Sequence, residues 1–87
     1  MRIWFKLWKG NRLLKDMTIH DDSSETRTHK IFSALESCCH TWDLAKPLWL
    51  DSSIREFQNH GKTKFRADSF IEDIPFDALE IQILEED

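Results

Sequence analysis

The segment Glu25 to Asp43 is the one stretch of this chain both long enough and periodic enough to be a full-length helix. Its apolar residues Ile31, Leu35, Cys38 and Trp42 recur at i, i+4, i+7 and i+11, with Phe32 and Cys39 alongside, so one broad stripe must be buried. A helix with a single apolar stripe needs a surface to cover. The flanking segments read as short strands, and the expectation is a small sheet with the helix packed on one face. What the other face does is then the functional question.

Arg2 to Lys9 alternates as a strand, with Ile3, Phe5 and Leu7 on one side and Trp4, Lys6 and Trp8 on the other. Gly10-Asn11 supplies a two-residue connection of the Gly-first type, which predicts a tight hairpin. The second strand is Arg12 to His20. Leu13, Met17 and Ile19 share a face that Lys15 interrupts, which suits an edge strand protected by an inward-leaning lysine. Asp21 to Ser24 is the polar entry to the helix. Asp22 with Glu25 imitates a capping box, and Ser23 or Ser24 offers an alternative cap.

After the helix, Lys46-Pro47 enforces a stop, and Leu48-Trp49-Leu50 reads as a short third strand that turns Leu48 and Leu50 to the helix and Trp49 away from it. Ser53 with Glu56, followed by Gly61, marks a short second helix over Ser53 to His60. Thr63, Phe65 and Ala67 alternate with charged residues in a fourth strand. Pro75 keeps Phe70 to Asp77 irregular. Leu79, Ile81 and Ile83 alternate with Glu80, Gln82 and Leu84 in a last strand, and Glu85-Glu86-Asp87 forms a short acidic tail.

This ββαβαββ order resembles the ubiquitin-like β-grasp, an α+β fold with a mixed sheet and one long helix packed on one face. The resemblance implies that the last strand inserts beside the first and parallel to it, which would bring Lys6 and Glu80 together on the outward face. The stretches Thr26-Arg27-Thr28-His29-Lys30-Ile31-Phe32, Trp49-Leu50-Asp51-Ser52 and Asp68-Ser69-Phe70-Ile71-Glu72 also resemble a group of short uncharacterised proteins of anaerobic Gram-positive bacteria, a likeness that implies no activity.

Composition narrows the function classes. With 87 residues, 40% hydrophobic and 32% charged, and only two glycines and two prolines, residues 1–87 read as one globular domain without repeat or linker. The net charge of −4 is unevenly placed: residues 1–20 carry five bases against Asp16, and residues 71–87 carry seven acids and no base. Adjacent terminal segments explain that asymmetry, since opposite charges support strand pairing. No basic stripe of the kind that binds nucleic acid is present. Charges at Arg2, Lys6 and Lys9 break up the first ten residues, so they are not a signal peptide, and no apolar run reaches the ~20 residues of a membrane span. The expectation is a cytoplasmic protein with reduced thiols, no membrane and no nucleic-acid partner.

Chemistry-bearing residues are sparse. The Gly-Gly end of conjugated β-grasp modifiers is missing, and two adjacent cysteines fall short of the four ligands of a ferredoxin cluster. Cys38-Cys39-His40 on a helix point about 100° apart and do not converge. Cys38 lies on the core stripe, and Cys39 would be reactive only if exposed. Glu36 with His40 and Glu56 with His60 offer two ligands each, and His20-Asp21-Asp22 and Asp51-Ser52-Ser53 suit helix entries. No catalytic residue, cofactor or metal is expected, and the chain reads as no enzyme.

The stronger signal is the outward sheet face. The alternation that buries Ile3, Phe5, Leu7, Leu48, Leu50, Ile81 and Ile83 sends Trp4, Trp8, Trp49 and Leu84 outward, with Leu14, Lys6, Lys64, Arg66, Glu80 and Gln82 among them. Exposed aromatic patches of this size mark interfaces unless another segment, here Phe70 to Phe76, covers them. The leading expectation is a non-catalytic protein-interaction module that dimerises or binds a protein through Trp4, Lys6, Trp8, Trp49, Lys64, Arg66, Glu80 and Leu84. The alternatives are an acidic inhibitor or nucleic-acid mimic using Glu85 to Asp87, and a small metal or thiol site around Cys39 and His20.

Overall fold

The computed structural model describes residues 1–87. Strands β1 (Arg2–Lys9) and β2 (Arg12–His20) form a hairpin, followed by helices α1 (Arg27–Trp42) and α2 (Asp51–His60), strand β3 (Lys62–Phe65) and strand β4 (Ala78–Glu85), with a 3-10 turn at Ala67–Ser69. The sheet has the order β2-β1-β4-β3, and every neighbouring pair is antiparallel. The fold is therefore α+β with a four-stranded antiparallel sheet and two helices.

Two features of the expected β-grasp are corrected. Leu48 to Leu50 is not a strand, and β4 runs antiparallel to β1. The two corrections are linked, because a chain that crosses the sheet one time fewer arrives at its last strand pointing the opposite way. Trp49 explains the missing strand. It turns inward, its ring 4.8 Å from that of Phe65 and 5.4 Å from that of Phe57, both edge-on, so this segment plugs the core. Leu48, expected to face the helix, is left 51% exposed.

In the hairpin, positive φ is confined to Gly10 (φ 59°), the requirement of a Gly-first turn. That turn pairs Lys9 with Arg12 and Trp8 with Leu13, a register that continued unbroken would set Lys6 against Lys15 and Phe5 against Asp16. Beyond Leu7 the observed pairs are instead Leu7 with Lys15, Lys6 with Asp16, Phe5 with Met17 and Ile3 with Ile19. A one-residue bulge at Leu14 reconciles the turn with the hydrophobic register. It also sends Leu13 to the outward face, not to the face of Met17 and Ile19. Lys15 does lean inward, its ammonium 5.3 Å from the ring centre of Trp42.

Helix α1 starts at Arg27 because Thr26 is the cap, its Oγ1 accepting from the His29 N–H at 3.2 Å. Asp21 and Ser23 are used in the preceding turn, where Asp21 Oδ1 accepts from Ser23 N–H. The helix ends at Asp43, held in the left-handed region at φ 55°. Its buried stripe includes both Cys38 and Cys39, since Leu44 folds back onto the helix, its N–H on the Cys39 carbonyl at 2.8 Å. Helix α2 starts at Asp51, two residues before the expected Ser53, with Leu50 and not Ser53 as its cap, and stops at Gly61 in the left-handed region at φ 67°. Ala67, read as part of a strand, falls in the 3-10 turn.

The core lies between the helices and one sheet face. Ile3, Phe5, Phe65, Leu79 and Ile81 are fully buried and belong to one cluster with Ile31, Leu35, Cys38 and Cys39 of α1 and Phe57 of α2. Each large apolar side chain buried this way contributes about 1.5–3 kcal/mol, a sizeable part of the margin of a small domain. Phe70 and Phe76, edge to face at 5.6 Å, are members of this same cluster. They do not cover the outward face.

The expected complementarity of the two ends is present. β1 and β4 are neighbours in the middle of the sheet, and Arg2 lies 3.6 Å from Glu85. The Met1 ammonium and the Lys30 ammonium both reach the Asp87 carboxylate, at 2.8 and 2.6 Å, and Arg27 pairs with Glu86 at 3.0 Å.

Candidate functional site

The apolar residues of both helices join the core cluster on one face of the sheet, α2 and residues 66–69 border the β3 side of the other, and the side chains of that outward face organise one another. The register sets Trp4, Lys6 and Trp8 of β1 beside Gln82, Glu80 and Ala78 of β4, with Lys64 of β3 next to Glu80 and Asp16 of β2 next to Lys6. Trp8 donates its indole N–H to Glu80 Oε1 at 2.8 Å, and Trp4 donates to Asp16 Oδ2 at 2.8 Å. Neither tryptophan belongs to the core cluster, and both are half-buried.

Lys6 is the centre of this arrangement. Its ammonium lies 3.9 Å from the centre of the Trp4 ring and 3.4 Å from Glu80 Oε1, and it donates to Gln82 Oε1 at 3.1 Å. Lys6 and Glu80 side chains are only 11% and 9% exposed, so this ion pair is far better shielded than a surface salt bridge. Lys64 sits over Trp8 at 5.5 Å from the ring centre. The two indoles are thereby oriented by carboxylates at their edges and by cations at their faces, a rigid aromatic surface with its polar handles satisfied.

Trp4, Lys6, Trp8, Lys64 and Glu80 are thus brought together as the alternation predicts. Trp49 is not with them: it lines a small groove between the helices with Phe32, Ile54 and Phe57. Arg66 lies past the end of β3 and borders a polar cleft beside α2. Leu84 sits in a second bulge, where Arg2 pairs with Glu85 and Ile3 with Ile83, and is 40% exposed. Gln82 lies on the face as the alternation places it, opposite Trp4, whereas Asp16 and Leu13 belong to the face and escaped the sequence reading. Asp16 and Leu13 were recoverable, because only a bulge in β2 lets Lys6 avoid Lys15.

The other candidate centres have ordinary structural roles. His20 Nε2 lies 3.0 Å from Asp22 Oδ1, and Lys46 lies 3.8 Å from Glu36. No group of three His, Cys, Asp or Glu side chains is placed to share a metal ion. Cys39 is completely buried, as is Cys38. Burial pushes both thiols up, Cys38 to about 12 with the neighbouring Cys39 adding to the effect, and Cys39 to about 11. A reactive thiolate at Cys39 is therefore not supported by its surroundings.

No helix is long and apolar enough to cross a membrane. No family model, no curated protein and no solved structure matches the chain.

Proposed function

We propose that the chain is a non-catalytic protein-interaction module that uses the outward sheet face as its contact surface, with a second copy of itself as the partner. The observation that carries this reading is the pair of indoles, Trp4 and Trp8, fixed by 2.8 Å bonds to Asp16 and Glu80 on the sheet face away from the core cluster, and only half-buried there. Aromatic side chains held in place before contact lose little freedom on binding, which is the property of interface anchors.

The charges on this face favour a twofold axis parallel to the strands. Such an axis lays β2, which carries Asp16, over β3 of the other copy, which carries Lys62 and Lys64. An eight-residue strand and four strand positions give a face on the order of 500 Å² per copy, at the low end of specific interfaces. The association is accordingly expected to be weak and to reverse on dilution. Two buried, unpaired cysteines accord with a reducing, cytoplasmic setting.

The acidic-inhibitor reading has less support, because Glu85, Glu86 and Asp87 are each engaged by a base of the chain itself. Light scattering behind size exclusion, with tryptophan emission recorded over a wide concentration range, tests the proposal. The expected result is a dimer that dissociates on dilution with a red shift in emission, and a Trp4→Ser, Trp8→Ser variant that stays monomeric with an unchanged circular dichroism spectrum. A wild-type monomer at every concentration would sink it.

A further inference from the structure

We propose that the polar cleft between α2 and β3 is a binding site for a small hydroxylated phosphate monoester. The cleft has a volume of about 520 Å³, within the range of small-molecule sites, and Leu50 is the single hydrophobic residue among the twelve that line it. An occupant must therefore be recognised by hydrogen bonds and charge.

Three independent features meet there. Ser69, one of the lining residues, is 1% exposed, and its Oγ is the one buried side-chain atom in the chain without a hydrogen-bond partner. Buried polar groups are almost always paired, and a turn of the Ser69 side chain about its Cα–Cβ bond towards the cleft it borders would let an occupant pair this hydroxyl. The second feature is the start of α2. Its cap residue, Leu50, has no side-chain acceptor, and the first N–H to bond back within the helix is that of Ile54, on the Leu50 carbonyl at 3.0 Å. The first-turn N–H groups at Ser52 and Ser53, both lining residues, thus receive no side-chain cap, and uncapped N–H groups at the positive end of a helix favour an oxyanion.

The third feature is charge. Lys64 and Arg66 border the cleft, and neither takes part in any of the salt bridges of the chain. A planar guanidinium suits the paired oxygens of a phosphate. Glu80, also at the border, is already held by Lys6 and Trp8. Glu56 and Asp68 remain as acceptors, which disfavours a polyanion and favours a ligand whose uncharged part carries hydroxyl donors. This selects a phosphorylated polyol over a diphosphate or an acidic peptide. Lys64 and Glu80 border both this cleft and the sheet face, whereas Ser52, Ser53, Arg66 and Ser69, on which the test rests, line the cleft and lie outside the tryptophan cluster.

The test is a titration of the full chain with glycerol phosphate, followed by amide NMR and calorimetry, with inorganic phosphate, glycerol and sodium chloride at matched ionic strength as the other arms. Expected are saturable shifts centred on Ser52, Ser53 and Ser69, tighter binding of glycerol phosphate than of inorganic phosphate, and no response to glycerol. Ser69→Ala and Arg66→Gln should each weaken binding by about fivefold or more, while Lys9→Gln leaves it unchanged. Melting of the ligand-free Ser69→Ala variant at or above the wild-type temperature shows that its loss of affinity is not a loss of fold. The proposal is overturned by shifts that sodium chloride reproduces, by an affinity indifferent to both variants, by equal binding of the two phosphates, or by no saturation at about 10 mM ligand.

Discussion

Lys6 and Glu80 stand opposite one another in the β1–β4 register, 3.4 Å apart, on side chains about one-tenth exposed, with a tryptophan against each of them. Removing one partner strands the other charge in a poorly hydrated place. Glu80→Ala is expected to destabilise the fold by about 1–3 kcal/mol, read as a lower urea midpoint at constant slope. The double variant Lys6→Met, Glu80→Leu should recover most of that loss, since it leaves no unpaired charge. A costless Glu80→Ala would mean that water reaches this pair freely.

Trp49 separates from the other tryptophans energetically as well as in space. Packed against Phe57 and Phe65, it resembles a core residue, and Trp49→Ala should cost about 3 kcal/mol or more. Trp4→Ser, on the outward face, should cost about 1 kcal/mol. Thermal melts of the two variants side by side check the order.

Cys38 and Cys39 make a prediction about alkali. Burial raises both thiols from 9.0, to about 12 and about 11, so above pH 9 the unfolded chain releases protons that the folded chain retains. Their contribution is complete below pH 9 and is lost progressively as pH rises towards the folded values. A Cys38→Ala, Cys39→Ala variant should show a flatter stability profile from about pH 9 upward, though a lower stability at neutral pH. In the native protein at neutral pH neither thiol should react with an alkylating reagent, while both should react once denaturant is added.

Asp87 makes the corresponding prediction in acid. Hydrogen bonds from Lys30 and from the Met1 ammonium hold its carboxyl below the usual 3.8. A depressed value means stability that is present above the unfolded pKa and lost as pH falls through the folded one. Wild type should therefore lose stability below about pH 4 more steeply than Asp87→Asn, which lacks this term. Urea unfolding at a series of acidic pH values measures the difference, and coincident profiles would show that the contact is solvated.

The main helix, the hairpin, the last strand and most of the core could be read from the sequence because each depends on local periodicity. Ile3, Phe5 and Leu7 alternate, and Ile31, Leu35 and Cys38 share a helical stripe, whatever the rest of the chain does. The charge asymmetry of the two ends correctly placed β4 beside β1. What the sequence could not settle was direction and register. Leu48-Trp49-Leu50 has the composition of a strand, and only the presence of Phe57 and Phe65 in space turns Trp49 inward. That tertiary contact removed one of the three outward tryptophans and, with the strand, the parallel pairing of the β-grasp. The bulge at Leu14 decided the rest of the face, by a conflict between turn and hydrophobic register that no single residue reveals.

The adjacency of β1 and β4 also dictates an order of events in folding. The hairpin of β1 and β2 closes through two residues and needs nothing else, but the other edge of β1 must wait for a strand from the opposite end of the sequence. Closing so long a loop is entropically unfavourable, so this pairing belongs to the slow, cooperative step, on the millisecond-to-second scale of sheets dominated by distant contacts. During synthesis the nascent chain carries Ile3, Phe5 and Leu7 without their β4 neighbours until the ribosome has released residues 78–85. A late frameshift or truncation before Ala78 would consequently leave the central strand of the domain half-paired and open to aggregation, and not merely shorten its margin of stability.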